Sequence, residues 1–573
     1  MPMHNRDVAG VLEAIADLLD IQDENTFRIR AYREAARTIN SLTGRVADMV
    51  EEGEDLTELS GIGEDLAGKI ETIVNTGTHP LLEELEDEVP RSLQELLRIS
   101  GLGPRGIQTI HEQLGVTDLE GLRKAAEQGS IARLEGFGEK TRQKILNEIE
   151  NIASGEDRSL LSDVEAIADD VERHIRSHGG VKKVCVAGSL RRRKETVGDL
   201  DVLVSCRRDA DIMEHFLEYE DIEEVEARGD TRTTAVLQSG LQVDVRVVPH
   251  AAYGAALVYF TGSKRHCIRL RKRGRKMDLK VNEYGVYSGR KKIAGKTEED
   301  VYRALELPWI APELREDRGE MEAAEENRLP ELVELDDIRG DLHAHTSRTD
   351  GHDSIEEMAK AARDRGYEYL AITEHSERVT VAGGLDADQL AGHIDDIQRV
   401  DESLEGIAIL GGVEVDILED GSLDLPDDIL SRLDVVVASV HYSFDLSREK
   451  QTERVLKALD NPQVNILGHP TSRKLGQREP FEIDLERIME AAAERGCCLE
   501  LNAYPNRLDL TDVACMKARE KGAGVAISTD AHRVSHLDYM RFGVGQARRG
   551  WLERDDVINT RSLDDLRELL KRT

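Results

Sequence analysis

Cysteine is scarce: there are six in 573 residues, and no two form a C-x-x-C pair. That excludes a disulfide-stapled scaffold and fits a reducing cytoplasm. Long apolar runs are absent as well. No stretch approaches the ~18 residues that would span a bilayer. The opening MPMHNRDVAGVLEAIADLLD has the spacing of an amphipathic helix, not of a signal peptide. The expected setting is cytoplasmic, without membrane contact. Lysine is rare beside arginine, 21 against 56, and aromatics make up only 4%. Positive charge is in deficit overall: 77 basic residues against 114 acidic ones leave a formal net charge of −37. On average over the chain this argues against a basic nucleic-acid binder. It fits a protein that stays hydrated in concentrated salt, where a Debye length of about 3 Å at ~1 M makes self-repulsion weak. What remains is ample for folding. Hydrophobic residues reach 39%, which excludes wholesale disorder, and the length suits three or four domains.

Residues 1 to about 155 read as short helices punctuated by glycine. One element recurs as Leu59-Ser60-Gly61-Ile62-Gly63, Ile99-Ser100-Gly101-Leu102-Gly103 and Leu134-Glu135-Gly136-Phe137-Gly138, each followed by a helical stretch. Such a Gly-hydrophobic-Gly turn exposes N–H groups at a helix start. That geometry holds a phosphate oxygen without reading bases. A glycine-capped helix–turn–helix is the plainer reading of one copy; three copies favour contact with a DNA backbone. Residues 156–310 then alternate strands and helices (KKVCVAGS, DVLVS, TTAVLQ, LQVDVRVVP). From about 313 to 337 acids and two prolines predict a partly helical linker. From 339 the pattern is strictly β then α, seven times, which implies a closed or nearly closed barrel.

In AGSLRRRKETVGDLDVLV, Asp199 and Asp201 stand at i and i+2 on a strand and share one face, with Leu200, Val202 and Val204 on the other. Downstream, Asp244 is set against Val243, Val245 and Val247. Three carboxylates on adjacent strands repel one another unless divalent cations neutralise them, and hard oxygen ligands suit Mg²⁺. Such a pair of ions can activate a 3′-hydroxyl and stabilise a pyrophosphate leaving group. Gly188-Ser189 precedes a helix start, a cradle for phosphate to which Arg192 adds charge. The segment 264–276, KRHCIRLRKRGRK, has eight Lys and Arg and no acid, a local exception that suits backbone phosphates.

GS-x9-DxD with a later strand Asp resembles the nucleotidyltransferase superfamily, and within it the family X DNA polymerases of bacterial and archaeal type; the acid excess adds the expectation of a halophilic archaeal host. Tyr259-Phe260-Thr261-Gly262-Ser263 is similar to that family's YFTGS, and Asn282-Glu283-Tyr284-Gly285 to its NEYG. The resemblance implies that Asp199, Asp201 and Asp244 hold two Mg²⁺ or Mn²⁺ ions, with Asp244 as base. It implies that Gly188, Ser189, Arg192 and Gly198 hold the triphosphate. Tyr259 and Phe260 would meet the sugar, and Gly262 the backbone near the base. DNA would be held by Gly61, Gly63, Gly101, Gly103, Gly136, Gly138, Lys264 and Arg265. Lys69, in GIGEDLAGKI, matches the lyase lysine of polymerase beta-like members, but Asp65 departs from their often basic residue.

The last domain offers His, Asp or Glu at nearly every βα junction: His343, His345, Asp350, His375, Glu414, His441, His469, Asp530 and His532. The C-terminal mouth of a barrel is where chemistry sits, and H-x-H on a strand points both rings one way. Imidazole with carboxylate suits Zn²⁺, Mn²⁺ or Fe²⁺. These residues match the PHP (polymerase and histidinol phosphatase) domain. The resemblance implies a three-metal phosphoesterase with 3′–5′ exonuclease action and, in relatives, abasic-site endonuclease or 3′-phosphatase action. Glu374 replaces the usual Asp before His375 and is expected outside the ligand set, and Arg473 is a candidate for substrate phosphate.

The expected organisation is therefore multidomain. Residues 1–90 form a helical DNA-binding domain with the first hairpin, and 91–155 a helix-hairpin-helix region. An α/β nucleotidyltransferase palm spans 156–250, a small α+β thumb with the nucleotide pocket 251–312, and an acidic linker 313–338. A distorted (β/α)7 PHP barrel spans 339–573. The functional expectation is a gap-filling repair polymerase acting on gapped or primer–template DNA with dNTPs, as a monomer, joined to a DNA phosphoesterase. The alternatives are a DNA-end-binding scaffold in which only the nuclease is active, and a barrel acting on a small phosphorylated metabolite, against which the fused hairpins argue.

Overall fold

The computed structural model describes residues 5–21, 24–40, 42, 46–82, 85, 96, 102, 104–134, 137–138, 141–142, 145–146, 158–208 and 210–571. It divides into two units, Met1–Asp157 and Arg158–Thr573. No helix among the described residues is long and apolar enough to cross a membrane.

The first unit is helical. Val8, Leu12, Ile15 and Leu19 recur at three- and four-residue spacing along Asn5–Ile21, and all are buried. Ile29, Tyr32, Ala36 and Ile39 do the same along Thr26–Asn40. The first hairpin runs from helix Val46–Glu52 through a 3₁₀ turn at Leu56–Glu58 to helix Glu64–Thr76. Gly61 has φ +81°, and a Cβ there would lie 2.7 Å from Glu34 Cγ, so glycine is required on two counts. Gly63 caps the second helix, whose first turn carries Glu64 and Asp65. Gly138 is described and exposed; Gly101, Gly103 and Gly136 lie outside the described residues.

The second unit opens with β1 (Ser159–Leu160), which pairs with β3 (Thr196–Val197). A five-stranded palm sheet contains β2 (Val181–Val186), β4 (Asp199–Cys206), β5 (Ile222–Arg228), β6 (Arg232–Leu237) and β7 (Gln242–Val247), in the order β2-β4-β7-β6-β5. β4 and β7 are parallel, and their register sets Asp201 directly beside Asp244. Leu200, Val202, Val204, Val243 and Val245 are fully buried beneath that face, as the alternation requires. The thumb follows, with helices Tyr253–Thr261 and Lys264–Lys276 and the antiparallel strands β8 (Leu279–Asn282), β9 (Gly285–Ser288) and β10 (Lys291–Ala294).

The barrel strands β11 (Gly340–Asp341), β12 (Tyr369–His375), β13 (Ala408–Asp416), β14 (Val435–Ser439), β15 (Ile466–Leu467), β16 (Cys498–Asn502) and β17 (Val525–Ser528) are parallel and neighbour one another in chain order. A parallel bridge between Ala344 and Ala531 brings the two edges together at the mouth. Strands buried on both sides read as continuous apolar runs, as seen here.

The segment expected to be an acidic linker is a packed element. Leu314, Met321 and Ala324 lie in the thumb core, and Arg315 and Glu320 are fully buried. Its acids answer the basic helix: Arg269 pairs with Asp317 and Glu322, and Arg273 with Glu325. Part of the positive charge of 264–276 is thus neutralised within the fold, while Lys264, Lys272, Arg275 and Lys276 stay exposed. Glu320 also accepts from Asp317 N and Arg318 N and meets His266 Nδ1 at 2.8 Å.

Palm and barrel share a core. Leu508 and Phe542, from the barrel sequence, are 1% exposed and belong to the buried cluster of Val197, Leu200, Val202 and Val243. Phe542→Ala should cost about 3–5 kcal/mol, the range for large-to-small changes in a core. Denaturant unfolding followed by a palm-located probe measures it; a loss under about 1 kcal/mol would show that the palm does not rest on this side chain.

Candidate active sites

In the palm, Ala187 N donates to Asp201 O, which brings the Gly188-Ser189 turn against the carboxylate strand. Gly188 has φ +62°, and a Cβ there would stand 3.1 Å from Asp201 Oδ2. Gly198 forms the bend between β3 and β4 and leads straight into the exposed Asp199. Burial, and then the neighbouring Asp199 charge, push Asp201 up to about 7. Asp244 behaves differently. Burial would raise it, but Arg232, Thr234 and Arg246 overcome that and hold it below the ordinary carboxylate range. Its oxygens accept from Arg232 Nε and Nη2 at 3.1 Å, Thr234 Oγ1 at 2.5 Å and Arg246 Nη2 at 3.4 Å. With Asp244 so engaged, the three palm carboxylates do not form a group whose ligand atoms all lie within 4.8 Å of one another.

The nucleotide-pocket candidates cluster nearby. Arg192 Nη1 donates to Thr261 O at 2.5 Å, Arg192 Nε to Glu316 at 2.9 Å, and a Cβ on Gly262 would lie 3.2 Å from Arg192 Nη1. Tyr259 and Phe260 pack edge to face at 5.1 Å, with Arg246 4.6 Å over the Phe260 ring. Glu298 locks palm to thumb: it accepts both terminal nitrogens of Arg191, Arg315 Nη1 and Trp309 Nε1. Burial alone would raise Glu298, but Arg315 and Arg191 hold it down at about 2. Lys264 and Arg265 occupy the first turn of the basic helix, capped by Ser263. In the first unit, the Lys69 ammonium is paired with Asp65 and lies 5.7 Å over the Tyr32 ring.

All nine barrel candidates converge at the C-terminal mouth. Eight of them form three groups able to hold a cation: His345, Asp350, His375 and His532; His343, His345 and Asp530; His375, Glu414 and His441. The ninth, His469, contacts Glu414 through Nε2 at 3.0 Å. Glu414 is the hub. The nearest His343, His345, His375 and His441 nitrogens lie 3.5, 3.7, 2.8 and 3.3 Å from its oxygens. Burial would raise Glu414, but the His441, His343 and His375 charges hold it far below the usual range. His345 is driven the other way, down to about 3, by burial and then by the His375 and His532 charges. A ring kept neutral in this way is ready to ligate a metal.

The residues fit a polynuclear cation centre by a direct test. His343 Nε2, both ring nitrogens of His345 and His375 Nδ1 are buried and form no hydrogen bond of proper geometry, although carboxylate oxygens lie 2.8 to 4.0 Å from them. Buried polar atoms are nearly always satisfied, so orphans aimed into a carboxylate-lined space mark a ligand set.

Sequence reasoning missed two supports, Glu500 and Asp416, and named Glu374 as lying outside the ligand set. Glu500 is fully buried on β16; it contacts His343 Nδ1 at 2.7 Å and accepts His469 N at 2.6 Å. Its strand, CCLELNA, was the one barrel run without an assigned candidate, and alternation alone would have flagged Glu500 and Asn502. Asp416 contacts His441 Nδ1 at 3.1 Å and pairs with Arg378 at 3.0 Å. Glu374 accepts Thr346 N at 3.0 Å and the Thr346 and Thr349 hydroxyls. Arg473 does not face the mouth as a phosphate ligand would. It is 7% exposed and bound to Glu195 of the palm and to Leu508 O. The lysine and arginines lining this cleft are Lys474, Arg507 and Arg533.

Comparison with known proteins agrees with this division. Residues 3–79 match a helix-hairpin-helix domain and 93–151 a SAM-like helix-hairpin-helix tandem. Residues 161–282 match the DNA polymerase beta palm, 256–316 the DNA polymerase beta thumb, and 341–504 the PHP domain. The DNA polymerase/3′-5′ exonuclease PolX of Bacillus subtilis is 39% identical over 575 residues, covering the whole of both chains. A probable phosphatase of Thermoanaerobacter sp. is 31% identical over 242 residues, 40% of this chain and 94% of its own. Another, of Acetivibrio thermocellus, is 33% identical over 252 residues, 40% of this chain and 95% of its own. With a palm, thumb and barrel in this order and a relative matched from end to end, the chain belongs to the family X DNA polymerases that carry a C-terminal PHP domain.

Proposed function

We propose that the chain extends DNA primers across short gaps from its palm and trims DNA 3′ ends from its barrel, working as a monomer on gapped or primer–template DNA with dNTPs. The observation that carries this reading is that two chemically distinct ligand sets sit on one body. Asp199, Asp201 and Asp244 lie on the palm face, and nine His, Asp and Glu side chains at the barrel mouth. The name of the Bacillus subtilis relative supports both activities, and the hairpin matches support DNA as the substrate.

In the palm, Asp199, Asp201 and Asp244 would hold Mg²⁺ or Mn²⁺, which when bound neutralises the triphosphate and acidifies the primer hydroxyl. The Gly188-Ser189 backbone and Arg192 hold the phosphates, with Gly198 letting the chain bend close. Tyr259 and Phe260 bound the sugar, and Gly262 admits the nucleotide without a side chain in the way. Asp244, whose oxygens accept from Arg232 and Arg246, is the carboxylate that would take the hydroxyl proton. Gly61, Gly63 and Gly138, with Lys264 and Arg265, meet backbone phosphates.

In the barrel, the nine residues would hold up to three ions of Zn²⁺, Mn²⁺ or Fe²⁺, which when bound supply a water acidic enough to attack phosphorus at neutral pH. Glu500 and Asp416 fix the ring orientation of His343 and His441, as partners of ligating imidazoles do. Lys474, Arg507 and Arg533 line the same cleft, and their charge would meet the scissile phosphate and its neighbours.

A 5′-labelled primer on gapped DNA separates the two activities. Asp199→Ala should abolish extension and leave shortening, and His343→Ala should do the reverse; parallel loss of both in either variant would refute two independent sites. In the same assay Glu500→Gln should slow shortening about 10–100-fold and spare extension, the range for partners of metal ligands. Shortening within about twofold of wild type would remove Glu500 from the account.

A further inference from the structure

The palm loop that follows Gly188-Ser189 is clasped by the barrel. Arg549, at the end of barrel helix Met540–Arg549, is 2% exposed. Its Nη1 donates to Arg192 O at 2.7 Å and to Glu316 Oε1 at 3.0 Å, and its Nη2 to Asp512 at 2.6 Å. The same Glu316 oxygen accepts Arg192 Nε. One carboxylate thus ties the palm guanidinium to the barrel guanidinium, and Arg549 also holds the Arg192 backbone.

The next residues continue the clasp. Arg193 has φ +56°, a region non-glycine residues rarely occupy unless their surroundings impose it. Those surroundings are Glu165, Arg541 O at 3.3 Å and the Phe542 ring 5.9 Å away. A Cβ on Gly545 would come within 3.0 Å of Arg193 Nε, so glycine lets the barrel helix approach this closely. Glu195 then pairs with Arg473 of the barrel at 2.7 Å. Ser189 and Arg192 of the palm, Arg318, and Asp512 and Arg549 of the barrel line one cavity of about 370 Å³.

We propose that the barrel completes the polymerase's nucleotide site, with Arg549 as the positioning residue that sets the loop and guanidinium of Arg192 for the incoming triphosphate. The inference rests on Arg192 as a triphosphate ligand, and it gives the barrel a role in synthesis that is separate from its own chemistry. Arg549 reaches Arg192 and Glu316, so its effect should fall on nucleotide affinity and leave the barrel mouth alone.

The test is a dNTP titration of primer extension by the full chain, with shortening of the same primer measured without dNTPs. Arg549→Met should raise KM for dNTP about tenfold with kcat and shortening near wild type, and Arg549→Lys should recover part of the loss. Glu316→Gln, which removes the shared charge with little change of size, should raise KM in the same direction. In an Arg192→Ala background, Arg549→Met should add little, since its route is already cut. KM within about twofold of wild type in both Arg549→Met and Glu316→Gln overturns the proposal. So does a loss of extension and shortening in equal measure, which would mark Arg549 as a support of the fold alone. If Arg192→Ala itself leaves KM unchanged, the triphosphate reading beneath it fails and the inference falls with it.

Discussion

Charge taken out of water must be answered by opposite charge, and at the barrel mouth that rule organises everything else. Glu414 is 1% exposed and within 3.7 Å of five imidazoles. Asp530, also buried, would be raised by burial, but the His343, His345 and His532 environment holds it far below its usual range. The protein brings more ligands than its own charges can pair, and the unsatisfied ring nitrogens of His343, His345 and His375 are what is left over. The barrel exists to make that crowding affordable: parallel strands end at one rim and deliver their last side chains to one space. Glu500 contacts His343 Nδ1 and accepts His469 N, and Asp416 contacts His441 Nδ1 and pairs with Arg378, which orients these rings from behind.

The palm solves the same problem more loosely. Asp201 is raised by its surroundings, whereas Asp244 is satisfied by Arg232, Thr234 and Arg246. Arginine here stands where a divalent cation would act, so at Asp244 cation binding and pairing with Arg232 and Arg246 are alternatives. The palm also leans outward for its order. Glu298 joins it to the thumb, and the barrel contributes Leu508 and Phe542 to its core and Arg473 and Arg549 to the loop that follows Gly188. Palm, thumb and barrel form a single unit because apolar burial and ion pairs cross both junctions.

Features with a strict period or spacing were legible in the sequence. Alternation placed Asp199, Asp201 and Asp244 over a buried apolar face, and seven apolar runs marked seven strands, six of which lead into the candidate ligands. Features that depend on which distant charge meets which were not legible. The segment 313–338 has the composition of a linker, and only its pairing with Arg269 and Arg273 shows why it packs. Arg473 follows His469 by four residues, yet its partner Glu195 is 278 residues away. Glu500 shares the alternation of its strand with Asn502, but only His343 beside it shows what the carboxylate does. The net charge of −37 first spoke against nucleic acid, but exposed Lys264, Lys272, Arg275 and Lys276 depart from that average.

The central claim is that the barrel mouth is a built cation centre held together by Glu414. Metal analysis of the full chain after exhaustive dialysis tests it most directly, with Glu414→Gln measured alongside. The account predicts more than one equivalent of transition metal retained by the native chain, with an upper limit set by the three ligand groups, and a clear loss in the variant. A native chain that emerges metal-free and takes up none on titration with Mn²⁺ or Zn²⁺ would contradict it.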